Sequence, residues 1–158
     1  MNENDLKKLK NIGFSLKKLS TKIKLLALLE RAKSAYEQNK FSECEKSCRE
    51  ILKNDSKNAV ALRGLGSIFH SKGDYKNAIK YYLEALKYSE NKEIEYTLLG
   101  TIYYNENNFE EAIKYYNLAI DVNDNYDLAY EGKNEAMLKR HLEILDMQDN
   151  LIKRQIFR

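Results

Sequence analysis

The sequence predicts an all-α protein built as a stack of antiparallel helix pairs. Three observations carry that reading. The segment LRGLGSIFHSKGDYKNAIKYYLEAL, Leu62 to Leu86, returns without a gap as YTLLGTIYYNENNFEEAIKYYNLAI, Tyr96 to Ile120, a period of 34 residues. Self-similarity at such a period marks a stacked repeat architecture. Inside each copy the apolar residues recur at helical spacing. The chain also has no proline and six glycines, so little in it breaks a helix or favours a tight hairpin.

Each element follows from local signals. Leu62, Leu65, Gly66 and Phe69 fall at i, i+3, i+4, i+7, one face of a first helix. The pattern breaks at Lys72-Gly73-Asp74 and resumes as Tyr75, Ala78, Ile79, Tyr82, Ala85, Leu86. Gly73 can take the left-handed conformation that ends a helix, and Asp74 can accept from the free amides of the next. In the following copy Asn107 fills the first role, and Asn108 with Glu111 offers a capping box. The small residues Gly66, Ala78 and Ala85 are expected where two helices approach closely. A third, more degenerate copy lies upstream, Leu28 to Leu52. There Ala32 replaces the helix-contact glycine, Cys44 replaces an alanine, Phe41 matches Tyr75, and Ser42 with Glu45 supplies the expected cap.

The signature resembles that of the tetratricopeptide repeat: Leu62, Leu65-Gly66, Phe69, Ala78, Tyr82, Ala85, and again Tyr96, Leu99-Gly100, Tyr103, Ala112, Tyr116, Ala119. The proline that usually closes each unit is absent, with Ser56, Glu90 and Asp124 in its place. The resemblance implies a right-handed superhelical stack of three units, 25–58, 59–92 and 93–126, with extra helices at both ends.

Both ends carry apolar stripes. Leu9, Ile12, Leu16, Leu19, Ile23 and Leu26 follow a heptad-type spacing on a basic arm, residues 1–24, which has seven Lys against Glu3 and Asp5. Gly13 marks a possible break near residues 11–14. Such a helix can cap the first repeat, pair with a second copy, or meet an anionic membrane or nucleic acid. At the other end residues 127–158 begin like a fourth unit, but no break follows Met137. Leu138, Leu142, Leu145, Ile152 and Ile156 continue as one long helix, covering the third repeat and then extending past it.

Composition and motifs argue against chemistry. The net charge is +3, and residues 25–126 carry 14 basic against 16 acidic groups, so charge outside the arm gives no nucleic-acid binder. The apolar run LLALL, residues 25–29, is too short for a signal core or a membrane span, so a cytoplasmic protein is expected. Cys44 and Cys48 share a helix face, but with only His70 and His141 as further ligands they do not make a zinc site, and packing explains them better. No nucleophile triad, phosphate loop or carboxylate pair stands out; no cofactor, no metal and no enzyme activity are expected.

The resemblance also implies a concave groove lined by the first helix of each unit. Carried over by position, the partner-binding candidates are Leu29, Lys33 and Tyr36; Val60, Arg63, Ser67 and His70; and Ile94, Thr97, Thr101 and Tyr104. The family subgroup that clamps C-terminal carboxylates needs an Asn, an Arg and a Lys where Gly64, Leu98 and Ile94 stand, so no clamp is expected. The function implied is a non-enzymatic adaptor binding a protein or peptide partner, with Arg63 available to an acidic residue. The alternatives are a self-assembling unit using Leu9, Ile12, Leu16, Leu19 and Ile23, and a small chaperone.

Overall fold

The computed structural model describes residues 3–156. Among them are seven helices and no strand: α1 Glu3–Glu37, α2 Phe41–Asn54, α3 Ala59–Ser71, α4 Tyr75–Leu86, α5 Lys92–Asn105, α6 Phe109–Val122 and α7 Asp127–Ile156. The pairs α1/α2, α3/α4 and α5/α6 pack within themselves, and each second helix leans on the first helix of the next pair. The stack of antiparallel pairs is the fold the 34-residue period predicts.

Three turns at one period each join the two helices of a pair. Asn39, Gly73 and Asn107 all hold a left-handed backbone, with φ of 57°, 75° and 58°. The residue that follows each is the N-cap. Asp74 accepts from the Asn77 amide at 3.2 Å, and Asn108 from the Glu111 amide at 3.3 Å. Hydrogen bonds from Asn77 hold the Asp74 carboxyl below its ordinary range. Glu111 turns to Lys114 rather than back to its cap, so only one half of the expected capping box forms.

The first pair departs from expectation. Its N-cap is Lys40, which makes no side-chain capping bond. Ser42 lies inside α2 and Glu45 pairs with Arg49, so the cap expected from these two is absent. The reason is register: the period places the cap at residue 40.

Each repeat core is built from the same columns. Ala78, Tyr82 and Ala85, and Ala112, Tyr116 and Ala119, are buried. A Cβ at Gly66 would lie 2.5 Å from the Tyr82 ring, and one at Gly100 2.8 Å from the Tyr116 ring. The glycines therefore make room for an aromatic ring, a tighter demand than close backbone approach alone. Tyr81 and Tyr115 stack on Phe69 and Tyr103 of their own pairs, with centroids 5.5 and 5.3 Å apart.

At the N-terminus α1 runs without a break through Gly13 and across residue 24 into the first repeat. Nothing lies within 4 Å of a Cβ at Gly13. A continuous helix cannot fold back, so the arm does not cap the first repeat. Ile12, Leu16, Leu19, Ile23 and Leu26 are all exposed. Contact with the stack begins at Lys24, which pairs with Glu50 at 3.1 Å. The Leu9 and Ile156 side chains lie outside the described residues. At the C-terminus α7 is one helix, as its spacing predicts. Ala129 and Ala136 are buried against the third repeat, while Leu142, Leu145, Met147, Leu151 and Ile152 are exposed.

Candidate partner-binding groove

The first helices α1, α3 and α5 carry the predicted residues in successive rows, and neighbouring rows, with the start of α7, close on two cavities. Leu29, Lys33, Tyr36, Val60, Arg63 and Ser67 line one of about 250 Å³ between α1 and α3. Ile94, Thr97, Thr101 and Tyr104 line a second of about 490 Å³, with Tyr126 and Glu131 opposite. The first has Lys33 and Glu37 at its edge, neither in an ion pair among the described residues. The second is bordered by Glu131 and Glu135.

Several candidates are already engaged within the chain. Arg63 is not a free cation: its Nη1 donates to Glu95 Oε1 at 3.0 Å, and Glu95 is fully buried. Glu95 stands in a column where the other units have Ala61 and Ala129, all buried. A charge in an alanine column was the sequence signal for this pair. Burying a carboxylate requires such a partner, so the α3–α5 contact consumes the charge assigned to an acidic ligand.

The ends of the first helices are linked by another recurring contact. Tyr36 meets Ser71 Oγ at 3.0 Å, and His70, one period on, meets Asn105 Nδ2 through Nε2 at 3.0 Å. With the amide donating, Nε2 accepts and the ring proton sits on Nδ1. His70 also packs edge-on against Tyr75 at 5.7 Å, as Tyr104 does on Phe109 at 5.6 Å. His70 is thus half-buried, and burial holds its pKa below the ordinary value.

Deeper in the groove, hydroxyls tie the core rings to the concave face. Ser67 Oγ lies 3.2 Å from the Tyr82 hydroxyl, and the Tyr116 hydroxyl donates to Thr101 Oγ1 at 3.3 Å. Burial pushes the Tyr82 phenol up to about 12, and Tyr116 moves the same way. Thr97 Oγ1 is buried and makes no hydrogen bond to another described residue. Val60 and Leu128 stand nearly half exposed or more at the start of their helices.

Cys44 and Cys48 are free and buried, as the packing reading expects. Burial raises both thiols, Cys48 up to about 12, which leaves them unreactive as thiolates. No cluster of three or more His, Cys, Asp or Glu suited to a metal occurs among the described residues. No described helix is long and apolar enough to cross a membrane.

Comparisons with known proteins agree with this geometry. Two tetratricopeptide-repeat family models match, over residues 29–92 and 94–126, and the chain belongs to the tetratricopeptide-repeat family. No curated protein sequence matches it. Among solved structures, the first TPR domain of Spaghetti (RPAP3) bound to the HSP90 peptide SRMEEVD superposes with a TM-score of 0.66 at 19% identity, covering 73% of this chain and 94% of that one. The TPR2B domain of yeast Sti1 in complex with pHsp70 gives 0.65 at 14%, covering 74% and 98%. A Thermobaculum terrenum O-GlcNAc transferase mutant gives 0.67 at 23%, where the match covers 73% of this chain but only 22% of that one. At these identities the likeness is one of fold.

Proposed function

We propose that the protein is a non-enzymatic, cytoplasmic adaptor that holds a peptide or helix from a partner protein along its concave face, without a carboxylate clamp. One observation carries the reading. The concave rows hold apolar side chains beside two cavities: Val60 and Leu128 are exposed, and Leu29 and Ile94 are half-buried. Two structural relatives support it, since their groove-forming domains are seen with an HSP90 peptide and with pHsp70. Lys33 and Glu37, of opposite sign, border the first cavity, while Glu131 and Glu135 border the second, so a basic partner segment would lie over α7.

The test compares wild type with Val60→Glu, Leu128→Glu as baits in lysate of the source cell, read by mass spectrometry after circular dichroism shows that both fold. Both positions are exposed, so the substitutions leave the core alone. A partner captured by wild type and lost by the variant supports the groove. Equal capture by both refutes it.

A second reading rests on the terminal stripes. Leu16, Leu19 and Ile23 on α1, and Leu142, Leu145 and Ile152 on α7, are exposed in one copy and could pair between copies. Light scattering decides it: a concentration-dependent mass that Leu16→Lys, Leu19→Lys returns to that of a monomer supports pairing, and a monomer throughout rejects it.

A further inference from the structure

The cavity of the first repeat exists because of what the repeat lacks. One period apart, residue 48 is a cysteine where residues 82 and 116 are tyrosines. Tyr82 and Tyr116 are buried and fill the space between their paired helices, reaching the concave face through Ser67 and Thr101. Cys48 stops short of that distance. Its neighbour on α3 is Gly64, where even a Cβ would come within 2.8 Å of the Cys48 sulfur. The corresponding residue of the next unit is Leu98. The sulfur therefore closes the gap to Gly64, but a thiol in place of a ring leaves volume on the groove side of it, and the cavity of about 250 Å³ lies there with Cys44 and Cys48 in its lining.

We propose that this cavity is an anchor site for one phenylalanine-type side chain of the partner, carried next to an acidic residue. The proposal rests on the groove reading and names its principal subsite. Size fits: an apolar cavity of about 150 Å³ takes benzene. Lining fits, because the walls are the carbon faces of Leu29, Ala32, Tyr36 and Val60, and sulfur makes favourable contacts with an aromatic edge. Direction selects the chemistry. A ring entering from the groove presents its tip to two buried thiols, so a bare ring is accommodated better than a phenol, whose hydroxyl would meet only the weak hydrogen-bonding capacity of sulfur. At the mouth, Lys33 occupies the position of Ser67 and Thr101 in the other units. Its ammonium can reach a carboxylate beside the anchoring ring.

The probes are N-acetyl-phenylalanine, which joins the ring to a carboxylate, and its uncharged amide. Each is titrated into the full chain and followed by amide NMR. Expected are saturable shifts at Leu29, Tyr36, Val60 and Gly64 in the millimolar range. The acid should bind roughly two- to fivefold tighter than the amide, the worth of an exposed ion pair, and Lys33→Ala should remove that difference. Ala32→Gly, Cys48→Tyr gives the first repeat the Gly–Tyr pair of the others and should abolish the shifts. Absent shifts at these residues, or equal shifts in the filled variant, overturn the proposal. Should that variant not fold, nuclear Overhauser contacts in wild type replace it: Cys44 and Cys48 both line the site, so the ring protons of the bound probe must contact their β-protons, and the absence of such contacts at saturation refutes the site. The bait experiment tests the groove and this titration tests the pocket, so each can fail alone.

Discussion

The first repeat and the two that follow share a backbone frame and differ in what fills it. Turns at Asn39, Gly73 and Asn107 adopt one conformation, so the frame survives heavy substitution. Inside it, repeats two and three each hold a buried tyrosine against a glycine and a second, stacked aromatic pair, Phe69 with Tyr81 and Tyr103 with Tyr115. The first repeat replaces the buried ring with Cys48, the glycine with Ala32, and the stacked pair with Ala35 and Ser47. Small residues in place of the rings leave less carbon in contact. Stability is therefore concentrated in residues 59–126.

The largest expected effect tests that division directly. Tyr82→Ala or Tyr116→Ala removes a fully packed ring and should cost about 3–5 kcal/mol, where Cys48→Ala should cost about 1 kcal/mol, roughly one buried methylene-sized group. Urea unfolding at neutral pH reads both. Equal costs at the two positions would mean that the first repeat is packed as tightly as its neighbours.

The Arg63–Glu95 pair gives the next effect, and it is asymmetric. Arg63→Ala leaves a fully buried carboxylate without its partner and should cost about 3 kcal/mol. Glu95→Ala restores the alanine that Ala61 and Ala129 supply and frees an arginine whose side chain is 23% exposed and can turn to water. Its cost should stay below about 1 kcal/mol. The double variant should resemble Glu95→Ala alone. A cost for Glu95→Ala as large as that for Arg63→Ala would show that the pair itself, and not the stranded charge, holds α3 to α5.

Legibility in the sequence followed the same division. Periodicity identified the pairs, the turns and the core columns because each depends on residue type at fixed spacing. Two things depended on length or on another repeat and were not readable that way. A lone Gly13 suggested a break in α1, but one exposed glycine costs only about 1 kcal/mol, too little to interrupt a helix anchored further along. Arg63 looked free because its partner lies 32 residues away in another unit. The rows of residues along α1, α3 and α5 were legible from the frame. The cavity needed the coordinates, since Cys48 reads equally well as a residue that lets the helices close up around it.

The caps refine the comparison at smaller scale. Asn108→Ala removes a side chain that holds the Glu111 amide and should cost about 1 kcal/mol. Lys40, in the same column, makes no cap, so Lys40→Asp should add up to about 1 kcal/mol. Thermal unfolding should move in opposite directions for the two. A shift of the same sign would mean that the turn after α1 is not a copy of the turn after α5.

The smallest effect is one of pH, and it sits on the column Tyr36, His70, Tyr104. Only the middle repeat has a titratable ring there near neutrality. Burial lowers the His70 pKa from its ordinary 6.5, so the folded chain binds that proton less readily than the unfolded chain. Its contribution is therefore complete above pH 6.5. It declines as the pH falls through the unfolded value and levels off below the folded one. Protonation would also give Nε2 a proton of its own facing the Asn105 amide, so that contact must turn over or break. His70→Tyr makes the column uniform and removes the proton. Carboxylates titrate alike in both chains, so the difference between their stabilities isolates the imidazole. Subtracting variant from wild type between pH 7.5 and 5 should give a curve that falls toward acid. A flat difference would place His70 in water, and with it the mouth of the second repeat.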